Sequence, residues 1–494
     1  MIILIENAKQ HRERVAIKSQ GKDYTYQELL DTSDKIAQTL LAGREDLNEE
    51  RIAFIVDPSF DYVSIQWAIW RAGGIAVPLC VKHPYTSVKY VIDDTQAESL
   101  VYSEKYAELV NPLFKECDLR AIPIKSIDEK KGALPDISVD RRAMIIYTSG
   151  TTGAPKGVVS THSNIEAQIL SLVTSWEWSK EDHILNILPL HHVHGIINIL
   201  SCALWSGACC EFLPKFNAVD VFDLFCKKEI NLFMAVPTIY YKLMYHWKIL
   251  AKEEQQTISD SLREFRLMVS GSAALPISTL EQWKVISGHT LLERYGMTEM
   301  GMAISNPYHG ERRPGHIGQP LSGITIRIAD ENNSEVLENQ SGEIQLKGPN
   351  VFKEYWQKPE ATKSSFVNGW FKTGDIAVLD DGYYRILGRN SVDIIKSGGY
   401  KISALEIEEV LRKHPDIKDC GVVGIPDPEW GEVICASLIL TKDNDTIENL
   451  KSWLKDKLPS YQLPRRYMIQ DDLPRNVMGK VTKKELQAVF MNEE

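Results

Sequence analysis

Between Tyr147 and Val159 four hydroxyl side chains, Thr148, Ser149, Thr151 and Thr152, are interleaved with Gly150, Gly153 and Gly157, and Lys156 adds a positive charge at the rim. Glycines allow backbone amides to converge, hydroxyls supply further donors, and the result is a loop suited to an anion such as phosphate. The spacing is not that of the loop G-x-x-x-x-G-K-[ST], which cannot be laid over Gly150 to Gly157. A P-loop kinase or nucleoside triphosphatase is therefore excluded. Further along stand two carboxylates in short polar runs, Glu299 in Tyr295-Gly296-Met297-Thr298-Glu299 and Asp375 in Thr373-Gly374-Asp375. Lys480 closes the run Pro474 to Lys480.

Arg294 is the most informative single residue. A guanidinium facing an apolar pocket costs several kcal/mol unless an anion compensates it. Its neighbour Glu293 is an awkward partner, because successive strand residues point to opposite faces. A small substrate carrying a second carboxylate would supply the missing anion. Upstream lie Ser270-Gly271-Ser272-Ala273-Ala274-Leu275 and a histidine-rich run, Pro189 to Gly195, containing His191, His192 and His194.

These residues need elements that bring them together. From about Thr25 to Pro237, β-like runs such as Arg51 to Val56 and His183 to Leu188 alternate with helical patterns such as Tyr26 to Leu41 and Ala218 to Glu229, which predicts parallel sheets covered by helices. The phosphate loop should follow the β-like run Ala143 to Ile146 and precede a helix. Between His316 and Gly388 short strands and turns predict a β-rich subdomain. After Arg389 an α+β pattern follows, with helices over 404–413, 447–458 and 482–490 and strands near 421–425 and 434–440. Ser403-Ala-Leu-Glu406 has capping-box spacing. The expectation is an α/β protein with a large N-terminal domain over 1–388, a small mobile C-terminal domain over 389–494, and a hinge at Arg389 to Asp393.

The ordered set of runs at Tyr147 to Val159, Tyr295 to Glu299, Thr373 to Asp375, Lys396 to Lys401 and Pro474 to Lys480 resembles the signatures of the adenylate-forming superfamily of acyl-CoA synthetases, luciferases and peptide-synthetase adenylation domains. The resemblance covers essentially the whole chain. It implies ATP, Mg2+ and CoA as ligands. Thr148, Ser149, Gly150, Thr151, Thr152, Gly153 and Lys156 would hold phosphate, and Tyr295 would stack on adenine. Ser272, Ala273, Ala274, Glu293, Gly296 and Met297 would complete the nucleotide pocket. Thr298 would meet phosphate, Glu299 with Thr151 would hold the metal, and Asp375 and Arg389 would contact ribose. Lys480 would reach the reacting carboxylate and the α-phosphate. Ser397, Gly398, Gly399, Tyr400 and Lys401 would line the thiol tunnel.

Within that superfamily, Glu293 to Glu299 together with Ser270 to Leu275 and His191 to Gly195 closely resembles malonyl-CoA synthetases. That implies Arg294 on the distal carboxylate of malonate, helped by Ser272 and His192, with His192, Thr298, Glu299 and Lys480 as the catalytic set. The hinge run Gly388 to Asp393 is one residue longer than the commonest pattern, which leaves the pivot open. Methylmalonate, a monocarboxylic acid, and a catalytically silent ATP-binding scaffold stay open as alternatives.

Composition agrees with a folded enzyme of small molecules. The chain has 494 residues, 44% hydrophobic and 25% charged, with a net charge of -11. That balance opposes broad contact with nucleic acid. The eight cysteines show no metal-site spacing and read as reduced, mostly buried thiols. The first residues lack the pattern of a signal or transit peptide, which points to a cytoplasmic location, or to the mitochondrial matrix if a presequence has been removed. The apolar stretch Gly195 to Cys210 is interrupted by Asn198, Ser201 and Ser206 and reads as a buried helix followed by a strand, with no membrane span.

Overall fold

The computed structural model describes residues 2–126, 132–148, 155–213, 215–441, 447–475 and 479–492. Two sheets carry the large domain. One has nine strands, in the order Gln319–Pro320, Gly301–Ser305, Leu292–Met297, Leu267–Ser270, Leu232–Ala235, His183–Asn186, Cys209–Phe212, Val15–Ser19 and Lys22–Thr25. The other has seven, running from Glu354–Tyr355 through Lys156–Thr161, Arg142–Thr148, Ile75–Pro78, Arg51–Ile55 and Ser99–Tyr102 to Arg120–Pro123. Their centres are parallel, as the alternation of strands and helices predicts. Their edges are antiparallel. The antiparallel edges come from hairpins such as Val15–Thr25, which add edge strands without a crossover helix.

The helix Tyr26–Leu41 shows how local sequence sets these elements. Thr25 Oγ1 accepts from the Glu28 amide at 3.1 Å and the Glu28 carboxylate accepts from the Thr25 amide at 2.7 Å, a reciprocal cap. Leu29, Leu30, Ile36, Ala37, Leu40 and Leu41 then face the core. One continuous apolar cluster joins both sheets to the β-rich subdomain, with Trp67, Trp70 and Trp176 fully buried in it. Gly195 to Cys210 forms a buried π-helix His194–Ser201, a helical turn Cys202–Trp205 and a strand Cys209–Phe212, as read from its apolarity. Cys80, Cys202, Cys210, Cys420 and Cys435 are buried, and all eight thiols are free. Among the described residues no helix is long and apolar enough to cross a membrane.

The β-rich segment is a five-stranded antiparallel sheet that includes Thr325–Ala329, Gly342–Lys347, Trp370–Asp380 and Tyr383–Arg389. The small domain has its own sheet around the long hairpin Ile417–Asp427 and Gly431–Leu440, flanked by the helices Ala404–Leu411, Ile447–Lys455 and Lys483–Met491. Ser403 caps the Ala404–Leu411 helix, its Oγ accepting from the Glu406 amide at 3.2 Å. The reciprocal half of that capping box is absent: the Glu406 carboxylate instead accepts from Arg385 Nη1 at 2.7 Å, so it crosses from the small domain to the β-rich sheet.

Candidate active site

The loops after the C-terminal ends of the nine-stranded sheet's parallel strands carry the candidate residues, the usual location for ligands in open α/β sheets. The strand Leu267–Ser270 leads into Ser272, Ala273 and Ala274, and the strand His183–Asn186 leads toward His191, His192 and His194. Leu292–Met297 itself carries Glu293, Arg294, Tyr295, Gly296 and Met297.

Arg294 is 3% exposed. Its Nη2 lies 3.4 Å from Ser272 Oγ, and among the described residues its Nε has no partner and no carboxylate forms an ion pair with it. Burial pushes the guanidinium pKa down to about 9, with the charge of Glu293 partly opposing the shift. Gly271 makes the arrangement possible, because a Cβ there would sit 2.4 Å from Arg294 Cζ. Ser272 itself has φ +67°, a left-handed backbone that turns its hydroxyl toward the pocket at the cost of strain. The histidine that meets Ser272 is His194, Nδ1 to Oγ 3.1 Å, rather than His192. Burial, then the nearby Arg294, holds His194 well below the usual histidine range, so it is neutral. His192 stacks obliquely on His191 with ring centres 4.2 Å apart, and its Nε2 is buried without a partner among the described residues. Burial, His83 and Lys480 push its pKa down to about 4.

Glu293, on the opposite face of the strand from Arg294, accepts from the Leu275 amide at 3.3 Å through Oε1 and leaves Oε2 unpartnered. Burial raises its pKa to about 8. Glu299 follows the turn that contains the half-buried Thr298. Its Oε1 accepts from Tyr355 at 2.8 Å, while Oε2 is buried with no partner among the described residues. Burial raises its pKa, opposed by the Tyr355 hydrogen bond. A fixed carboxylate with one oxygen to spare fits a hard divalent cation such as Mg2+. Lys156 Nζ lies over the Tyr355 ring, 4.3 Å from its centre, so the candidate phosphate lysine and the candidate metal ligand share one support.

Thr148 and Lys156 face each other as cross-strand partners at the end of a hairpin. Lys156 thus opens the strand Lys156–Thr161, and the helix His162–Ser175 comes only after it. Tyr147 donates to Asp94 Oδ2 at 2.5 Å, fixing the base of that hairpin. Ser149, Gly150, Thr151, Thr152 and Gly153 lie outside the described residues. On the opposite wall Tyr295 donates to Asp375 Oδ2 at 2.5 Å, and Arg389 Nε lies 3.5 Å from Asp375 Oδ1 while its Nη2 donates to the Thr373 carbonyl. Lys480 comes from the small domain into this cleft. It keeps contact with solvent, yet the surrounding protein lowers its pKa; Arg389 and Arg294 add to the lowering, and Asp375 and Asp393 oppose it.

The glycine-rich turn is placed elsewhere. Ser397 and Tyr400 end the two strands of a hairpin, with Gly398 and Gly399 at positive φ between them. Tyr400 is 54% exposed and stacks on Tyr461, and Lys401 pairs with Glu331 of the β-rich sheet at 2.5 Å. One small domain thus presents Lys480 to the cleft while it holds Gly398 to Lys401 on its outer surface, with Ser397 buried beneath them.

Sequence reasoning gave no role to Gly271, Tyr355 or Asp94, and it put His192 rather than His194 beside Ser272. His194 is two residues from the histidine singled out, and both are buried, so only the fold distinguishes them. Tyr355 lies in a separate two-residue strand, Glu354–Tyr355, with nothing in its local sequence to mark it.

Comparison with known proteins gives a consistent picture. Residues 4–356 match the AMP-binding enzyme family and residues 406–480 the AMP-binding enzyme C-terminal domain. The chain is 45% identical to the malonate–CoA ligase ACSF3, mitochondrial, of Bos taurus, over 96% of this chain and 88% of that protein. It is 41% identical to a malonate–CoA ligase of Arabidopsis thaliana, over 98% of this chain and 87% of the relative. The crystal structure of ATP-bound MatB from Rhodopseudomonas palustris superposes with a TM-score of 0.92 at 31% identity, covering 100% of both chains.

Proposed function

The chain belongs to the AMP-binding enzyme family, and from that premise we propose that it is an ATP-dependent, AMP-forming acid–thiol ligase whose acid is malonate and whose thiol is CoA. The observation that carries the choice of acid is Arg294, a buried cation to which no carboxylate among the described residues is paired. Malonate brings one carboxylate to react and a second to compensate that charge. Ser272, oriented by neutral His194, supports the same carboxylate.

In the first half-reaction a carboxylate oxygen of malonate attacks the α-phosphorus of ATP, the bond to the β-phosphate oxygen breaks, and pyrophosphate leaves. Both reactants are anionic, so catalysis is chiefly positioning and charge stabilisation. Lys480 is the group that meets the reacting carboxylate and the α-phosphate, and Lys156 holds the outer phosphates. Glu299 through Oε2 would hold Mg2+, with Thr151 as the sequence-assigned second ligand; the bound cation supplies charge neutralisation on the phosphates. Asp375 and Arg389 take the ribose once Tyr295 turns from Asp375 to the adenine. In the second half-reaction the CoA sulfur bonds to the acyl carbon, the bond to the AMP oxygen breaks, and the thiol proton is released. Ser397, Gly398, Gly399, Tyr400 and Lys401 serve that step after the small domain reorients.

We place the end of the large body at Gly388 and the hinge between the two bodies within Arg389 to Asp393. The mitochondrial name of the bovine relative supports a matrix location over a cytoplasmic one. The test is pyrophosphate release with ATP, Mg2+ and CoA across acetate, butyrate, malonate, methylmalonate, succinate, octanoate and 4-coumarate, with mass detection of the thioester. Malonate is expected to lead; a monocarboxylate in first place overturns the assignment of Arg294, and no release with any acid overturns the ligase.

A further inference from the structure

We propose that Glu408, Lys483 and Asp393 form a positioning unit that sets Lys480 for the adenylate-forming half-reaction, an inference that rests on the reading above for the identity of that half-reaction. Lys483 lies three residues after Lys480, at the start of the helix Lys483–Met491. Its ammonium has three donors, and three acceptors surround it: the Glu408 carboxylate, the Val422 carbonyl at 2.7 Å and Asp393 Oδ1 at 3.8 Å. Glu408, 4% exposed, is equally saturated, with Oε1 also accepting from the Val422 amide at 2.8 Å and Oε2 from Arg412 at 3.2 Å.

Two arms run from this cluster to the cleft. Asp393 Oδ2 accepts from the Arg389 amide at 3.0 Å, which ties Lys483 to the residue whose guanidinium reaches Asp375 and Thr373. Gly388 gives Asp393 room, because a Cβ there would lie 2.5 Å from Asp393 Cβ and its φ is +134°. On the other side Arg412 reaches Asp419, Asp419 pairs with Arg475, and Arg475 donates to the Gly479 carbonyl at 3.0 Å, next to Lys480. Lys480 is therefore held from before and from after. Buried charges tolerate few arrangements, since each lost partner leaves a desolvated charge. A rotation about 390–392 would part Asp393 from Arg389 and leave Glu408 on Lys483, so the cluster and Lys480 travel together and Asp393 latches them only in the adenylating arrangement.

The test uses full-length protein with two assays: malonate-dependent ATP–pyrophosphate exchange for the first half-reaction, and conversion of supplied malonyl adenylate with CoA for the second. For Glu408→Gln, kcat of exchange is expected to fall on the order of 10- to 100-fold, the cost of misplacing a reacting group, with KM for malonate and ATP within about twofold. The second half-reaction should stay within about threefold of wild type, and Lys483→Arg should recover most of what Lys483→Met loses. In a Lys480→Ala background Glu408→Gln should cause no further loss, because the unit acts through Lys480. Equal losses in both half-reactions, or an additive loss on Lys480→Ala, overturns the proposal. Should Glu408→Gln fail to fold, Asp393→Asn, which perturbs a single ion pair at the other end, repeats the comparison with the same outcomes. If wild-type exchange runs with another acid and not malonate, the choice of acid falls, and the unit is tested with that acid.

Discussion

Two regions of this molecule bury charge, and they do it in opposite ways. In the large domain Arg294 Nε, Glu293 Oε2 and Glu299 Oε2 are buried without a partner among the described residues. In the small domain Glu408 is as deeply buried and the Lys483 side chain is 10% exposed, yet each is surrounded by partners. The difference teaches how to separate a binding site from a structural cluster. Unpaired buried charge costs stability and is retained where a ligand completes it, whereas saturated buried charge fixes one geometry.

The sharpest way to break this comparison is to remove one cation from each region. Arg294→Leu should lower kcat/KM for malonate by about 2–5 kcal/mol of binding, between about 30-fold and several thousand-fold. The same change should leave the melting temperature equal or higher, because it deletes an uncompensated charge. Lys483→Met should do the reverse to stability, costing about 3–5 kcal/mol by breaking the buried pair and leaving Glu408 with Arg412 as its remaining cation. Steady-state kinetics and thermal unfolding of the two variants check both halves; a lower melting temperature for Arg294→Leu than for Lys483→Met would sink the distinction.

Lys480→Ala should reduce pyrophosphate exchange by about 10²- to 10³-fold, the usual loss for one charge-stabilising donor. Thioester formation from supplied malonyl adenylate should survive, because Ser397 to Lys401 serve that step. Equal loss in the two assays would contradict the division of roles. Tyr355→Phe should raise the Mg2+ concentration for half-maximal activity by about 10-fold, since it frees the Glu299 oxygen that Tyr355 holds. A metal titration reads this directly.

The smallest effect concerns pH. Glu293 has a folded-state pKa of about 8, above its ordinary value of 4.5. A carboxyl group raised on folding binds its proton more tightly in the native state, so the native state loses stability as pH rises from about 4.5 to about 8. Glu293→Gln should therefore gain in melting temperature over wild type across that interval, by a few degrees, and the gap should stop growing above it. A gap that does not depend on pH would show that Glu293 is already compensated.

Much of this was legible in the residue order. The helix Tyr26–Leu41 has the bounds its periodicity predicts, and the small-domain helices start within one residue of theirs. Arg294 was identifiable because a cation beside an apolar pocket demands an anion, and it is buried as that argument requires. What escaped was every contact made by chain crossing between elements. His194 rather than His192 on Ser272, Tyr355 under Glu299, and Glu406 turned to Arg385 instead of closing its own capping box all depend on partners 21 to 78 positions away in sequence.

The sequence by itself determined the element types, the order of the phosphate, adenine, ribose and lysine motifs, and the chemistry they could serve, because backbone propensity and side-chain functional groups are local properties. Only the tertiary structure decided which charges are paired. Pairing depends on which strands and helices pack together, and burial then multiplies the energetic consequence of a partner present or missing. For that reason Arg294 and Lys483, both ordinary cations in the sequence, become a ligand's counter-charge in one region and a fixed support in the other.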